Sequence, residues 1–281
     1  MPNTRSCLLA LVFSLLLLNH AAAEADGEGV METQPSQVDS KILATIFSGA
    51  ESLQYSVSWS GGIKIGDISM EIHSEKSRPD TFKISTKVKD YGPLRLFYPV
   101  DDTFRSFVSG PMKLPYRYEV LQREGYTKET NRLTLYDQQL HSVRYQTNEE
   151  TPKDFALEGR VYNEFAAFII TRALKFIEGE EIVVPTFADE KRNEVLVELV
   201  KREKRKTLFG EKETLKVQQK MHFKGLYDKS GDTVIWLTDD ACRVPVEIHS
   251  RIVVGSLVAE LVGYTNPACK ELGQQKQRSG H

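Results

Sequence analysis

Three cysteines in 281 residues are too few for a fold built from disulfides. Neither sign of charge prevails: 37 Lys and Arg stand against 39 Asp and Glu, which leaves no global positive field to recruit nucleic acid by counterion release. Motifs that carry chemistry are missing too. There is no Walker loop, no H-E-x-x-H pair and no G-x-S-x-G elbow, and none of His73, His141, His222, His249 and His281 has a second ligand at the spacing of a helix-borne metal site. The sequence therefore predicts no enzyme, no metal and no other cofactor. With 40% hydrophobic residues, the chain does have the means to build a conventional apolar core.

The apolar stretch from Cys7 to Leu18 is about half the length that a membrane-spanning helix requires. Arg5 precedes it, and Asn19-His20 and the small residues Ala21-Ala22-Ala23 follow, just before Glu24. This is the pattern of a secretory signal peptide over residues 1–23, cleaved after Ala23. No cysteine follows the cut to take a lipid, and no later segment is apolar for long enough to span a bilayer, so the expected mature form is soluble in the periplasm. Residues 24–45 read as a flexible polar leader. A short amphipathic helix falls at its end, with Ile42, Leu43, Ile46 and Phe47 at helical spacing between Ser40 and Gly49. Residues 46–268 then read as one domain and 269–281 as a polar tail.

Period-two alternation dominates the domain. Leu53, Tyr55, Val57 and Trp59 share one face of a strand, and Gly61-Gly62 turns it into a second bearing Ile63 and Ile65. After Gly66 the apolar parity moves to Ile68, Met70 and Ile72, which predicts a bulge at that glycine. Strand patterns recur at 82–88, 104–108, 116–120, 126–136, 140–145, 195–199, 215–223 and 234–237, while 244–263 reads as one long strand whose parity flips at Gly255-Ser256. One segment differs. Val161, Phe165, Phe168, Ile169, Arg172 and Phe176 form the stripe of a helix that Asn163 can cap and Gly179 can end. The fold class is thus mainly β: a strongly bent antiparallel sheet, an open or half barrel, wrapped around one buried helix.

Tyr55-Ser-Val-Ser-Trp59 with Gly62-Ile-Lys-Ile-Gly66, Tyr162-Asn163 opening a helix that reaches Arg172, Ile235-Trp-Leu-Thr-Asp239-Asp240, Arg243-Val-Pro245-Val and Gly255-Ser256-Leu257 before Ala259-Glu260-Leu261 occur in a specific order. In that combination the chain resembles the bacterial domain of unknown function family 3108. The resemblance spans nearly the whole domain and implies an exported envelope protein with an elongated curved sheet, similar in outline to the periplasmic lipoprotein carriers. It implies no activity. Glu164 stands where the resemblance suggests proline after the helix cap, and Cys242 where a basic or polar residue is usual.

Few residues remain as candidates for function. Asp239-Asp240 could serve as an acid/base pair or simply open a turn. Arg172 lies within an apolar stripe and must find an internal acid or a bound anion. Leu94, Leu96, Phe97 and Tyr98 follow Tyr91-Gly92-Pro93 in a loop and should either plug the open side of the sheet or line an apolar cavity with Phe165 and Phe168. With Arg172 and Trp236, the residues Leu96, Phe97, Tyr98, Phe165 and Phe168 form the predicted ligand set. Lys201, Arg202, Lys204, Arg205 and Lys206 should protrude as a loop, either as a solvated hairpin tip or as a contact for an anionic surface. Cys242 and Cys269 remain once the signal peptide carrying Cys7 is gone, and in an oxidising compartment they predict a disulfide. The preferred reading is a binding or carrier protein for an apolar, lipid-like ligand such as an acyl chain. An assembly or scaffolding factor that holds an envelope protein partner is the alternative.

Overall fold

The computed structural model describes residues 32–59, 62–76, 78–96, 99–188, 190–222, 233–251 and 255–272. The expected signal peptide lies outside these residues, as do Phe97 and Tyr98. The described chain forms two short helices, α1 (Ser40–Ile46) and α2 (Glu164–Arg172), and fourteen strands. In chain order these are β1 (Ala50–Trp59), β2 (Ile63–Ser74), β3 (Thr81–Asp90), β4 (Asp101–Ser109), β5 (Leu114–Glu124), β6 (Lys128–Asp137) and β7 (Ser142–Thr147). They continue as β8 (Lys153–Ala156), β9 (Glu181–Ala188), β10 (Lys191–Thr207), β11 (Gly210–His222), β12 (Thr233–Thr238), β13 (Pro245–Arg251) and β14 (Ser256–Thr265).

The strands make one antiparallel sheet in the order β8-β7-β6-β5-β4-β3-β2-β1-β14-β13-β12-β11-β10-β9. Its two terminal strands meet through side chains. Phe187 of β9 packs at ring-centroid distances of 5.5 Å from Phe155 of β8, 6.3 Å from Tyr136 of β6 and 6.5 Å from Tyr145 of β7, and Lys153 of β8 binds Glu190 at 2.8 Å. The sheet is therefore rolled into a barrel-like wall with a seam between β8 and β9 that no strand pairing closes. The free edge of β9 is occupied by other chain: Thr33 Oγ1 donates to the Val183 carbonyl at 2.8 Å, and Tyr162 N donates to the Pro185 carbonyl at 2.8 Å. This covers backbone groups that would otherwise invite a foreign strand.

Helix α2 is the expected buried helix. Phe165 through Arg172 are all buried, and nine residues could not hold a helix in water without such burial. Asn163 caps it, accepting from Ala166 N at 3.0 Å, and donates through its amide to Ser106 Oγ of β4 at 2.7 Å. Helix α1 buries Ile42, Leu43 and Ile46, with Asp39 as its cap.

Several expectations need correction. Helix α2 stops at Arg172, well before Gly179, because residues 173–175 leave the helix to bond an earlier segment: Leu174 bridges Val38, Asp39 N donates to the Ala173 carbonyl and Lys175 N to that of Gln37. Tertiary pairing thus overrides a stripe that continues to Phe176. The same contacts dock residues 32–45 onto the body, so the part of the leader within the described residues is not a tether. Cys269 and Leu272 are buried, so the body also extends into the expected tail. Residues 244–263 are not one strand but the hairpin β13–β14, with Arg251 opposite Ser256; the parity change there comes from a turn. The bulge in β2 is real and falls at Ile65, beside Gly66, where a Cβ would lie 2.7 Å from the Lys89 carbonyl oxygen. Strands β8 and β9 were not expected at all.

Candidate functional site

The predicted ligand residues do not converge. Leu96 is 74% exposed at a barrel rim, so it neither plugs the interior nor lines a cavity with the helix; Phe97 and Tyr98 lie outside the described residues. Phe165 is packed in the core at 4.9 Å from Phe104, and Phe168 is buried as well. Trp236 sits on the face of β12 opposite the inward Ile235 and Leu237, sealed by charge: Arg205 lies 4.3 Å above its ring, Lys216 is 5.5 Å away, and its Nε1 donates to Glu203 at 2.6 Å.

The basic run is likewise not a loop. Lys201 to Lys206 belong to β10, paired with Lys216 to Glu211 of β11, and most of its charge is met by acids. Lys201 binds Glu203, Arg202 binds Glu178 and Asp239, Lys204 binds Glu213, and Arg205 binds Glu247. Asp239-Asp240 is a turn: Asp240 Oδ1 accepts from Cys242 N, Arg243 N and Thr238 Oγ1 at 2.8–3.1 Å, a structural arrangement.

Among the described residues, two buried polar centres flank helix α2. The first surrounds Arg172. Its Nη1 and Nη2 donate to the two Glu51 oxygens at 2.6 and 2.8 Å, its Nε to the Arg243 carbonyl at 2.9 Å, and Nη2 also to the Cys242 carbonyl at 3.2 Å. Tyr264 and Asn266 donate to Glu51 at 3.2 and 3.3 Å. The Cys242–Cys269 disulfide, with Cα atoms 5.9 Å apart, ties the turn that supplies those carbonyls to the chain after β14. Arg172 is thus fully paired and pins α2 to β1 and the β12–β13 turn; it is not a vacant anion site. Burial here raises the Tyr55 and Tyr264 hydroxyls far above the ordinary phenol range, so both act as neutral groups.

The second centre lies at the seam, where Tyr118, Val120, Arg132, Thr134, Tyr136, Tyr145, Glu164, Phe187 and Ala188 enclose a small space. It admits about one water-sized group. Strand alternation sends Tyr118 and Val120 of β5 and Arg132, Thr134 and Tyr136 of β6 inward, and α2 contributes Glu164 from its first turn. Three buried polar atoms around this space lack a hydrogen-bond partner: Glu164 Oε2, Arg132 Nε and the Tyr136 hydroxyl. Burial pushes the Glu164 carboxyl up, against the pull of the Arg132 guanidinium and the Tyr118 hydroxyl. Burial also raises the Tyr118 and Tyr136 hydroxyls, and the Glu164 charge adds to the effect. Burial would lower Arg132, yet Tyr118 and Glu164 hold it above its ordinary value.

Arg132 extends this centre toward a buried acidic group. Its Nη2 donates to Gln122 Oε1 at 2.7 Å, and the Gln122 amide reaches Glu124 at 3.1 Å and Asp102 at 3.4 Å. Burial pushes Asp102 up to about 7, opposed by the Arg123 backbone N–H and reinforced by Glu124. Sequence reading missed this centre. Arg132, Thr134 and Tyr136 do share one parity in a recognised strand, but β9, which brings Phe187, was not read as a strand, and Glu164 stood out only as a departure.

No curated protein matches the chain. A crystal structure described as a beta-barrel-like protein of domain of unknown function DUF1849 from Brucella abortus is similar in fold, with a TM-score of 0.53 and 10% identity over 78% of this chain and 98% of that one. The model of the family described as protein of unknown function DUF3108 matches residues 54–262, from within β1 to within β14, a span that holds the seam centre and Arg172 but not Glu51, Tyr264 or Asn266, and the chain belongs to that family.

Proposed function

We propose that the protein is an exported, non-catalytic binding protein for a lipid-like amphiphile whose small polar head enters the seam space. The observation that carries this reading is the set of three partnerless buried atoms around one space. Each such group destabilises the folded protein by about 1–3 kcal/mol, so a site that keeps three of them is built to receive a partner. The donor on Arg132, the acceptor on Glu164 and the hydroxyl of Tyr136 match a head that both donates and accepts and is no larger than a hydroxyl. Tyr145, Phe155 and Phe187 offer the apolar portion an aromatic wall along a seam that needs no strand pairing to be broken in order to part.

Export is supported by the amino-terminal sequence and by the Cys242–Cys269 bridge, a bond that persists in oxidising compartments. Among the described residues no helix is long and apolar enough to cross a membrane. A partner protein bound by strand addition fits less well, because β9's edge is occupied and β8 is four residues long and carries Lys153 and Asp154. The test is organic-solvent extraction of protein purified from its native compartment, followed by mass spectrometry. A co-purified amphiphile that is lost from Arg132→Met and Glu164→Gln supports the reading. No amphiphile in the parent, with an ordered water on all three atoms in a crystal, overturns it.

A further inference from the structure

At the end of the barrel where β1 turns into β2 and β3 into β4, three large apolar side chains stand in solvent: Ile63 at 59%, Leu96 at 74% and Tyr126 at 72% exposure. They are held in place. Tyr126 donates through its hydroxyl to the Leu96 carbonyl at 2.7 Å, joining the β5–β6 turn to residues 93–96, and Tyr91 N donates to the Ile65 carbonyl at 3.0 Å, joining that loop to β2. Ile63 pairs with Trp59, Trp59 with Leu257, and Ser256 with Arg251, so the rim runs on without a break to the β13–β14 hairpin.

Lys64, Arg95 and Arg251 are exposed along this same arc, and none of them belongs to an ion pair among the described residues. The contrast with β10 is informative. There Lys201, Arg202, Lys204 and Arg205 are met by acids, whereas here the cations stand beside exposed apolar side chains, the pairing of features that suits the boundary between lipid headgroups and acyl chains. Asp67, whose carboxyl is raised by burial against the pull of Lys64, is exposed on the same strand, and Asp101 and Glu129 are exposed too, with Glu129 bound to Arg123.

We propose that this rim docks on a membrane surface rich in anionic lipid, with Ile63, Leu96 and Tyr126 entering the interface and Lys64, Arg95 and Arg251 meeting the headgroups. The proposal does not depend on what the seam binds. It is tested by co-sedimentation of the purified protein with vesicles of phosphatidylcholine alone or mixed with phosphatidylglycerol. Binding is expected only to the mixed vesicles, falling with added salt, and each cation removed should weaken it about fivefold. Thus Lys64→Glu with Arg95→Glu, and separately Leu96→Asp, should lose most of it, while Lys201→Glu with Lys206→Glu should retain it. In Tyr126→Trp, emission should shift to the blue on binding, which a purely electrostatic contact would not produce. Circular dichroism confirms that these surface variants stay folded. The proposal is overturned if the mixed vesicles are not bound, if the β10 variant rather than the rim variant loses binding, or if the parent dimerises without lipid and Leu96→Asp abolishes the dimer.

Discussion

Removing the charge of Glu51 tests the interior most sharply. In Glu51→Gln the Arg172 guanidinium keeps its bonds to the Cys242 and Arg243 carbonyls but loses its counter-ion at zero exposure. Breaking a buried pair from one side costs about 3–5 kcal/mol, because the remaining charge is left without compensation. Arg172→Met should cost a similar amount, since it strands the Glu51 carboxylate with only Tyr264 and Asn266. In the double variant no charge is stranded, and the loss reduces to two carbonyls without donors and weaker bonds to residue 51, about 1 kcal/mol each. The two single effects should therefore exceed the double effect by at least about 2 kcal/mol, a coupling well outside the scatter of independent sites. Urea unfolding followed by far- and near-ultraviolet circular dichroism measures the cycle. If a single variant proves too unstable to purify, Tyr264→Phe removes one donor from Glu51 and should cost about 1 kcal/mol. Additivity within about 0.5 kcal/mol would refute the claim that the pair acts as one unit.

Replacing Cys242 and Cys269 together with alanine should lower stability by about 3–4 kcal/mol, for a bridge that spans a separation of 27 residues, and the parent should show no free thiol in denaturant without reductant. Gly66→Ala places a methyl 2.7 Å from a backbone oxygen that cannot swing aside, so a loss of about 1–3 kcal/mol is expected; a melting temperature within about a degree of the parent would contradict this. Because the folded-state pKa of Asp102 is raised from 3.8 to about 7, the unfolded chain releases that proton first, and the group's contribution to stability falls as pH rises across that interval. Asp102→Asn should flatten this part of the stability profile between roughly pH 4 and pH 7, and an unchanged slope there would show that Asp102 titrates normally.

Local patterns carried far in this sequence because one face of most strands is buried. Alternation in β1 marks the inward residues correctly, the spans at 82–88, 104–108 and 116–120 fall within β3, β4 and β5, and Asn163 and the apolar residues after it mark the start of α2. Parity flips at glycine were ambiguous for a physical reason. A bulge and a hairpin both exchange the two faces, so Gly66 and Gly255 look alike in sequence, though the first adjoins a bulge and the second a turn. Strand β9 escaped notice because Ile182, Val183 and Val184 are buried on both faces and Pro185 follows, which hides the period. The basic stretch of β10 read as a loop because exposed charges on both faces carry no period either.

Arg132 on β6 and Arg172 on α2 pose the same sequence question, a cation among inward-facing residues, and they receive opposite answers. Arg172 meets Glu51 across the β1 side of the barrel, with two carbonyls held nearby by a disulfide-linked turn, and each of its three nitrogens donates. Arg132 reaches Gln122 on the neighbouring strand, but its Nε faces a space bounded by Glu164 and Tyr136 in which all three have an atom without a partner. What separates the two is not residue type or periodicity but closure. The first centre forms where the sheet is continuous, so its acid is fixed by strand register; the second forms at the seam, where the strands at the two ends of the sheet meet only through side chains. A seam without strand pairing is the place in this barrel where a group from solution can reach buried polar atoms at the smallest disturbance to the hydrogen-bonded wall, and there three partnerless atoms surround one space.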